Sequence, residues 1–134
     1  MNAPRSLAFR RDTNIHPVEG IDDPRIARCA IAQSFIELDQ LPTLEQRNRL
    51  NVVLRSRLNC TEEDAREMEV LGRWLVTQCG TAKEAIPRLG RRLKKLDNGK
   101  SWDNTQEVLF ALIEGDLSPA QVDAIDDLRI AFKR

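Results

Sequence analysis

The chain has 134 residues, enough for one domain with a substantial core. Apolar residues make up 41%, charged residues 31% and aromatics 4%, with no Tyr, a composition that excludes an intrinsically disordered chain and a membrane-spanning one. The 21 basic and 21 acidic side chains cancel, which argues against a dedicated nucleic-acid coat protein.

Residues 1–22 carry Pro4, Pro17 and Gly20 with mixed charge and no apolar period, and read as a mobile arm ahead of a domain over 23–134. The N-terminus lacks the apolar stretch of a secretion signal, so a cytoplasmic location is expected. Asp23-Pro24 opens the first helical segment, with a capping side chain followed by Pro where a missing N–H costs nothing. Its apolar positions are Ala27, Ala30, Ile31, Phe35 and Leu38. Thr43 with Gln46 opens the second as a capping box, the hydroxyl accepting a free amide while the Gln reaches back to the cap's own N–H. That segment presents Leu50, Val53, Leu54 and Leu58. The third starts at Thr61 with Asp64 and presents Ala65, Met68, Gly72, Leu75, Val76 and Cys79. Val70, Leu71 and Trp74 widen this stripe, so the third helix is expected at the centre of the domain.

Thr81 with Glu84 opens the fourth segment, whose apolar residues are Ile86, Leu89, Leu93 and Leu96. Pro87 removes a backbone bond there and crowds the carbonyl of Lys83. Either the helix kinks at Pro87, or a turn from Thr81 hands over to a helix that begins at the proline; Gly90 weakens it further. Ser101 reads as a plain cap for the fifth segment, with Trp102, Leu109, Leu112 and Ile113. Ser118, Pro119 and Gln121 open the sixth, with Val122, Ile125, Leu128 and Phe132. Pro42, Asn59, Gly80, Asn98-Gly99 and Gly115 mark the stops. No segment alternates with period two, so the expected fold is all-α: a compact bundle of about six main helices with short connections.

Residue types that carry chemistry are sparse. Cys29, Cys60 and Cys79 form no Cys-x-x-Cys pair, and packing is the expected role of all three. With His16 the only histidine, no Ser-His-Asp or Cys-His pair is available in the domain, and no phosphate-binding Gly-rich loop appears. A non-enzymatic protein is expected.

The chain holds one imperfect repeat. Residues 36–50 align with residues 111–125, pairing Asp39 with Glu114, Thr43 with Ser118, Gln46 with Gln121 and Leu50 with Ile125. Each copy is a helix end, an acidic residue, a short loop and a newly capped helix, which suggests two helical hairpins about a pseudo-twofold axis. On these loops and over residues 25–133 the sequence resembles the tellurite-resistance TerB-like family, whose members repeat an Asp-Gly loop opening an amphipathic helix that carries a Glu. In this chain Gln40 stands where the first glycine would be, and Glu114 replaces the Asp before Gly115. The resemblance implies a compact all-α bundle without catalytic chemistry, a setting in stress-response or membrane-associated assemblies, and acidic loops linked to divalent cations. Asp39, Glu45, Glu114 and Asp116 are the candidate ligands for Ca²⁺ or another divalent cation, at most as a weak site.

Net neutrality hides segregation: residues 80–100 hold seven basic and two acidic side chains. Arg88, Arg91, Arg92 and Lys95 recur at one-face spacing and form a candidate ridge for an anionic partner, an acidic protein or nucleic-acid phosphates. Nucleic acid is disfavoured, since no exposed aromatics interleave with the ridge. Trp102 is expected in the core, anchoring the start of the fifth helix, whereas Trp74 has two readings, a core residue or an exposed anchor for another helix beside a surface groove. The sequence therefore points to an interaction or adaptor module with a protein partner, and to the basic ridge as the alternative binding feature.

Overall fold

The computed structural model describes residues 15–133. They form a bundle of six helices: α1 Pro24–Ile36, α2 Leu44–Arg57, α3 Glu62–Gln78, α4 Ala82–Asp97, α5 Trp102–Ala111 and α6 Pro119–Lys133. No β-strand occurs among the described residues, and none of their helices is long and apolar enough to cross a membrane.

The helix starts follow the side chains predicted to cap them. Asp23 accepts from the amide of Arg25 at 2.9 Å, and Thr61 and Thr81 accept from the amides of Asp64 and Glu84. Both bonds of the capping box form at Thr43 with Gln46 and at Ser118 with Gln121. Ser101 differs from expectation: its hydroxyl makes no cap bond and is buried without a partner among the described residues, while its carbonyl accepts from the Thr105 hydroxyl at 2.8 Å. The stops are Asn59, Gly80, Asn98, Gly99 and Gly115, all at positive φ, where Gly and Asn are the residues that tolerate a left-handed turn.

The central helix is α1, not α3 as the stripe width suggested. Ten of its thirteen residues are buried, and it packs chiefly against α3 and α4 with lesser contact to α2 and α5. Small side chains make this possible. Gly72 of α3 faces Ala30, where an added Cβ would stand 3.4 Å from the Ala30 Cα, at ordinary contact distance. Ser34, buried at the same centre, is satisfied by donating to the Ala30 carbonyl at 2.9 Å. Val70, assigned to the buried stripe of α3, is exposed, and so is Val122 of α6.

α4 runs unbroken through Pro87, so no handover occurs at the proline. Gly90 has a positive role: α6 crosses there, placing Leu128 Cδ2 and Ala131 Cβ 3.0 and 3.1 Å from where a Cβ would sit. Trp102 anchors the start of α5 by packing on Phe132 of α6, ring centroids 5.0 Å apart. The two copies of the repeat keep their loops and caps, but their helices take different seats: α2 packs on α3 and α5, whereas α6 packs on α4.

The expected arm over residues 1–22 is corrected over its last eight residues, while residues 1–14 lie outside the described ones. Residues Pro17–Gly20 form a 3-10 turn packed against α3 and α4, with Val18 and Ile21 fully buried. His16 caps this turn: its Nδ1 accepts from the Val18 amide and its Nε2 donates to the Gln78 carbonyl at the end of α3. That pairing requires the tautomer with its proton on Nε2.

Candidate functional site: an arginine-rimmed groove between α2 and α3

The acidic loops of the repeat meet, but as a clasp. Asp39 accepts from the hydroxyl of Ser118 at 2.7 Å, joining the first loop to the cap of α6. Arg49 of α2 pairs with Glu114 of the second loop and lies 3.7 Å from Glu45. A guanidinium thus stands between two of the four candidate cation ligands. Asp116 is exposed and joins neither pairing. The expected convergence of Asp39, Glu45, Glu114 and Asp116 is corrected on this geometry: among the described residues no three His, Cys, Asp or Glu side chains gather closely enough to hold a metal ion.

The basic ridge of α4 is divided. Arg92 turns from it to the N-terminal segment, donating from Nε and Nη2 to the Ile21 carbonyl at 3.0 and 2.7 Å, with the carboxylates of Glu19 and Asp22 each 3.9 Å away. It fastens the fold. Arg88 is half-buried, which leaves Arg91 and Lys95 as the fully exposed cations of the predicted four.

The thiols are held in their neutral form. Burial pushes Cys29 well above its usual range, and it pushes Cys60 and Cys79 up as well, with nearby arginines only partly opposing it. Cys60 donates to the Leu54 carbonyl at 3.6 Å.

A groove that the sequence reading did not isolate runs between α2 and α3, with a volume of about 580 Å³. A short connection reverses the chain between these helices, so they lie antiparallel and each contributes one face. On α2 that face holds Leu44, Asn48, Asn51 and Arg55; on α3 it holds Glu62, Arg66, Glu69 and Arg73. Both sets follow the i, i+4, i+7, i+11 spacing of a single helical face. Leu44, Val52 and Val70 supply aliphatic surface at 66%, 55% and 48% exposure. α2 leaves them uncovered because its buried stripe is narrow, only Leu50, Val53 and Leu54 facing inward.

Four guanidinium groups rim this surface: Arg47 and Arg55 from α2, Arg66 and Arg73 from α3. Arg66 is paired with Glu62 at 2.7 Å. Arg47, Arg55 and Arg73 are exposed and make no ion pair among the described residues. In mid-groove, Asn51 donates to Glu69 at 3.4 Å. Burial pushes the Glu69 carboxyl above its ordinary range, against the Asn51 bond and the charges of Arg47, Arg73 and Arg66. Gln33 of α1 reaches the groove from beneath; it is 1% exposed, and its Nε2 finds no acceptor among the described residues. Beyond Arg73 the surface continues past half-buried Trp74 to Thr77.

The signal for this groove lay in the apolar residues outside the buried stripes. Leu44 and Val52 fit no core period of α2, and Val70 sits off the Met68–Gly72–Leu75 line of α3. No protein-family model matches the chain, and no curated protein or solved structure matches it at a significant level.

Proposed function

We propose that this chain is a non-enzymatic helical interaction module that binds an anionic partner protein, and that it does so in the α2–α3 groove. The observation that carries the reading is the set of guanidinium groups without an ion pair among the described residues, Arg47, Arg55 and Arg73, around exposed Leu44, Val52 and Val70. Arginine binds carboxylates in a planar, two-point geometry, and aliphatic surface beside it supplies the non-directional part of an interface. The groove offers guanidinium, amide and aliphatic groups with two carboxylates, one of which is tied to Arg66. That lining suits recognition. It supplies no nucleophile beside a base of matched pKa.

A TerB-like kinship, with its stress-response setting, belongs to the same proposal. On this reading the acidic loops clasp α1, α2 and α6 together through Arg49 and Ser118. A cytoplasmic setting also belongs to it, and the three free thiols suit a reducing compartment.

The test is a titration of ¹⁵N-labelled protein with polyglutamate, followed by amide shifts at low and high salt. Shifts centred on Arg47, Asn51, Arg55, Val70 and Arg73, and suppressed by salt, are expected, because exposed charges interact over a Debye length of about 10 Å at 0.1 M. Shifts centred on Arg91 and Lys95 would move the site to the α4 ridge. A titration with no shifts would remove the anion-binding reading.

A further inference from the structure

We infer, resting on that reading, that the occupant of the groove is one acidic amphipathic α-helix of a partner protein, about three turns long. The lining sets the length. Leu44 to Arg55 on α2 and Glu62 to Arg73 on α3 each span eleven residue steps, about 16 Å of helix. Two antiparallel helices with an open furrow between them are the ordinary seat for a third, whose side-chain ridge fills the furrow. The aliphatic patches fit that periodicity: Leu44 and Val52 lie eight residues apart on α2, about 12 Å, with Val70 facing them from α3. An occupant with apolar residues at i, i+4 and i+7 reaches all three patches along one face.

Charge sets the sign of its flanks. Arg47 and Arg55 stand along one wall and Arg66 and Arg73 along the other, so acidic residues on both sides of the apolar stripe meet a guanidinium. Gln33 sets a preference at the floor, since its unpartnered Nε2 favours an occupant that delivers an acceptor there, such as a side-chain amide or carboxyl oxygen.

The same features turn away other occupants. A nucleic-acid strand would bring phosphates past the Glu69 carboxylate and lay its bases on aliphatic surface. The chain's own first fourteen residues carry Arg5, Arg10 and Arg11 against Asp12, a net charge of the same sign as the rim. Its α6 offers exposed Val122 and Ile130 beside Asp123 and Asp126, but Arg129 and Lys133 offset two of its three aspartates, and Arg129 is bonded to Asp126.

The experiment titrates the full chain into a fluorescein-labelled peptide of about 14 residues, with Leu at i, i+4 and i+7, Glu on both flanks and Ala elsewhere. Anisotropy and peptide helicity are read together. Controls are polyglutamate of equal length, the same peptide with Lys for Glu, and a single-stranded DNA oligonucleotide. The acidic amphipathic peptide is expected to bind at least about tenfold tighter than polyglutamate and to gain helicity, the gain coming from Leu44, Val52 and Val70. Val70→Asp, and separately Arg47→Glu with Arg73→Glu, are each expected to weaken it about tenfold. The doubly reversed variant is expected to bind the Lys peptide instead, which shows that it has folded.

Peptide binding no tighter than polyglutamate overturns the helix inference, and anion binding stands if polyglutamate still shifts the groove amides. Tighter binding of the oligonucleotide makes the groove a nucleic-acid site. Self-association that is abolished by Arg73→Glu and blocks the peptide makes a second copy the occupant. If neither polyglutamate nor the peptide binds, this inference and the function it rests on both fall.

Discussion

Glu69 shows how one residue can be set against its own helix. It stands in the middle of the α2–α3 groove, where burial raises its carboxyl above the ordinary 4.5 in spite of the Asn51 hydrogen bond and three nearby arginines. A carboxyl whose folded pKa lies above its unfolded one favours the fold in its protonated form. Its contribution is complete below about pH 4.5 and is lost as pH rises through the folded value. At pH 7 the ionised group therefore costs stability, and Glu69→Gln, which keeps an acceptor for Asn51, should raise the urea midpoint. The gain should shrink towards pH 4, where the native carboxyl is also neutral. Urea melts of both proteins between pH 4 and 8 check this: a variant no more stable than the parent at pH 7, or equally stabilised at pH 4 and 7, contradicts the assigned burial. The same substitution should tighten binding of an acidic peptide at pH 7, since it removes a groove carboxylate that has no ion pair among the described residues. The carboxylate repels acidic groups delivered to mid-groove, so the acidic residues of an occupant belong over the arginine rim and its apolar stripe over Glu69.

At the scale of elements, helix crossings are decided by where side chains are missing. α4 and α6 approach through Gly90, with Leu128 and Ala131 filling the space of its absent Cβ, while Gly72 meets Ala30 at an ordinary contact distance. Gly90→Val should therefore destabilise by about 1–3 kcal/mol, as overpacking does in a closed core. Gly72→Ala should be neutral or gain up to about 1 kcal/mol from helix propensity. Denaturant midpoints of the two variants check the contrast, and equal effects would contradict the crossing geometry. These elements also show what the sequence made legible. Starts and stops were readable because a cap is a local event: the hydroxyl of Thr43 or Ser118, its Gln three residues on, and the left-handed Asn or Gly at the far end act within one turn. The identity of the central helix was not local. Ala27, Cys29, Ala30 and Ala32 dilute the apolar stripe of α1, yet small side chains are what let α3 and α4 approach it together. The groove was hidden for the converse reason, since Val70 looks like a core residue in one dimension and its exposure depends on how narrow the stripe of α2 is.

At the scale of the whole molecule, the N-terminal segment belongs to the domain and Arg92 is the residue that fastens it. Neither fact shows in composition, because Val18 and Ile21 lie among Pro, Glu, Gly and Asp, and because Arg92 occupies the same helix face as the exposed Arg91 and Lys95. Among the described residues the segment is held by the apolar burial of Val18 and Ile21, by Arg92 through two hydrogen bonds to the Ile21 carbonyl and ion pairs to Glu19 and Asp22, and by the bond from His16 to the end of α3. Full burial of a Val or Ile side chain contributes about 1.5–3 kcal/mol, an upper figure because unfolded chains already hide part of their surface. A chain beginning at residue 23 should then be less stable than one beginning at residue 15 by about 3 kcal/mol. In the full chain, Arg92→Ala should lose about 1–3 kcal/mol by leaving the buried Ile21 carbonyl without a donor, whereas exposed Arg91→Ala should stay within about 0.5 kcal/mol. Hydrogen exchange separates the causes. Arg92→Ala should strip protection from the amides of Val18, Glu19 and Ile21 while leaving α1 protected, since α1 is enclosed by α3 and α4 independently of the segment. If protection of the segment survives Arg92→Ala, burial alone holds it, and Arg92 returns to the list of cations on α4 able to meet a partner. If it is lost, the positive charge at that position is committed to the fold, and of the predicted ridge only Arg91 and Lys95 stay fully exposed to compete with the arginines of α2 and α3.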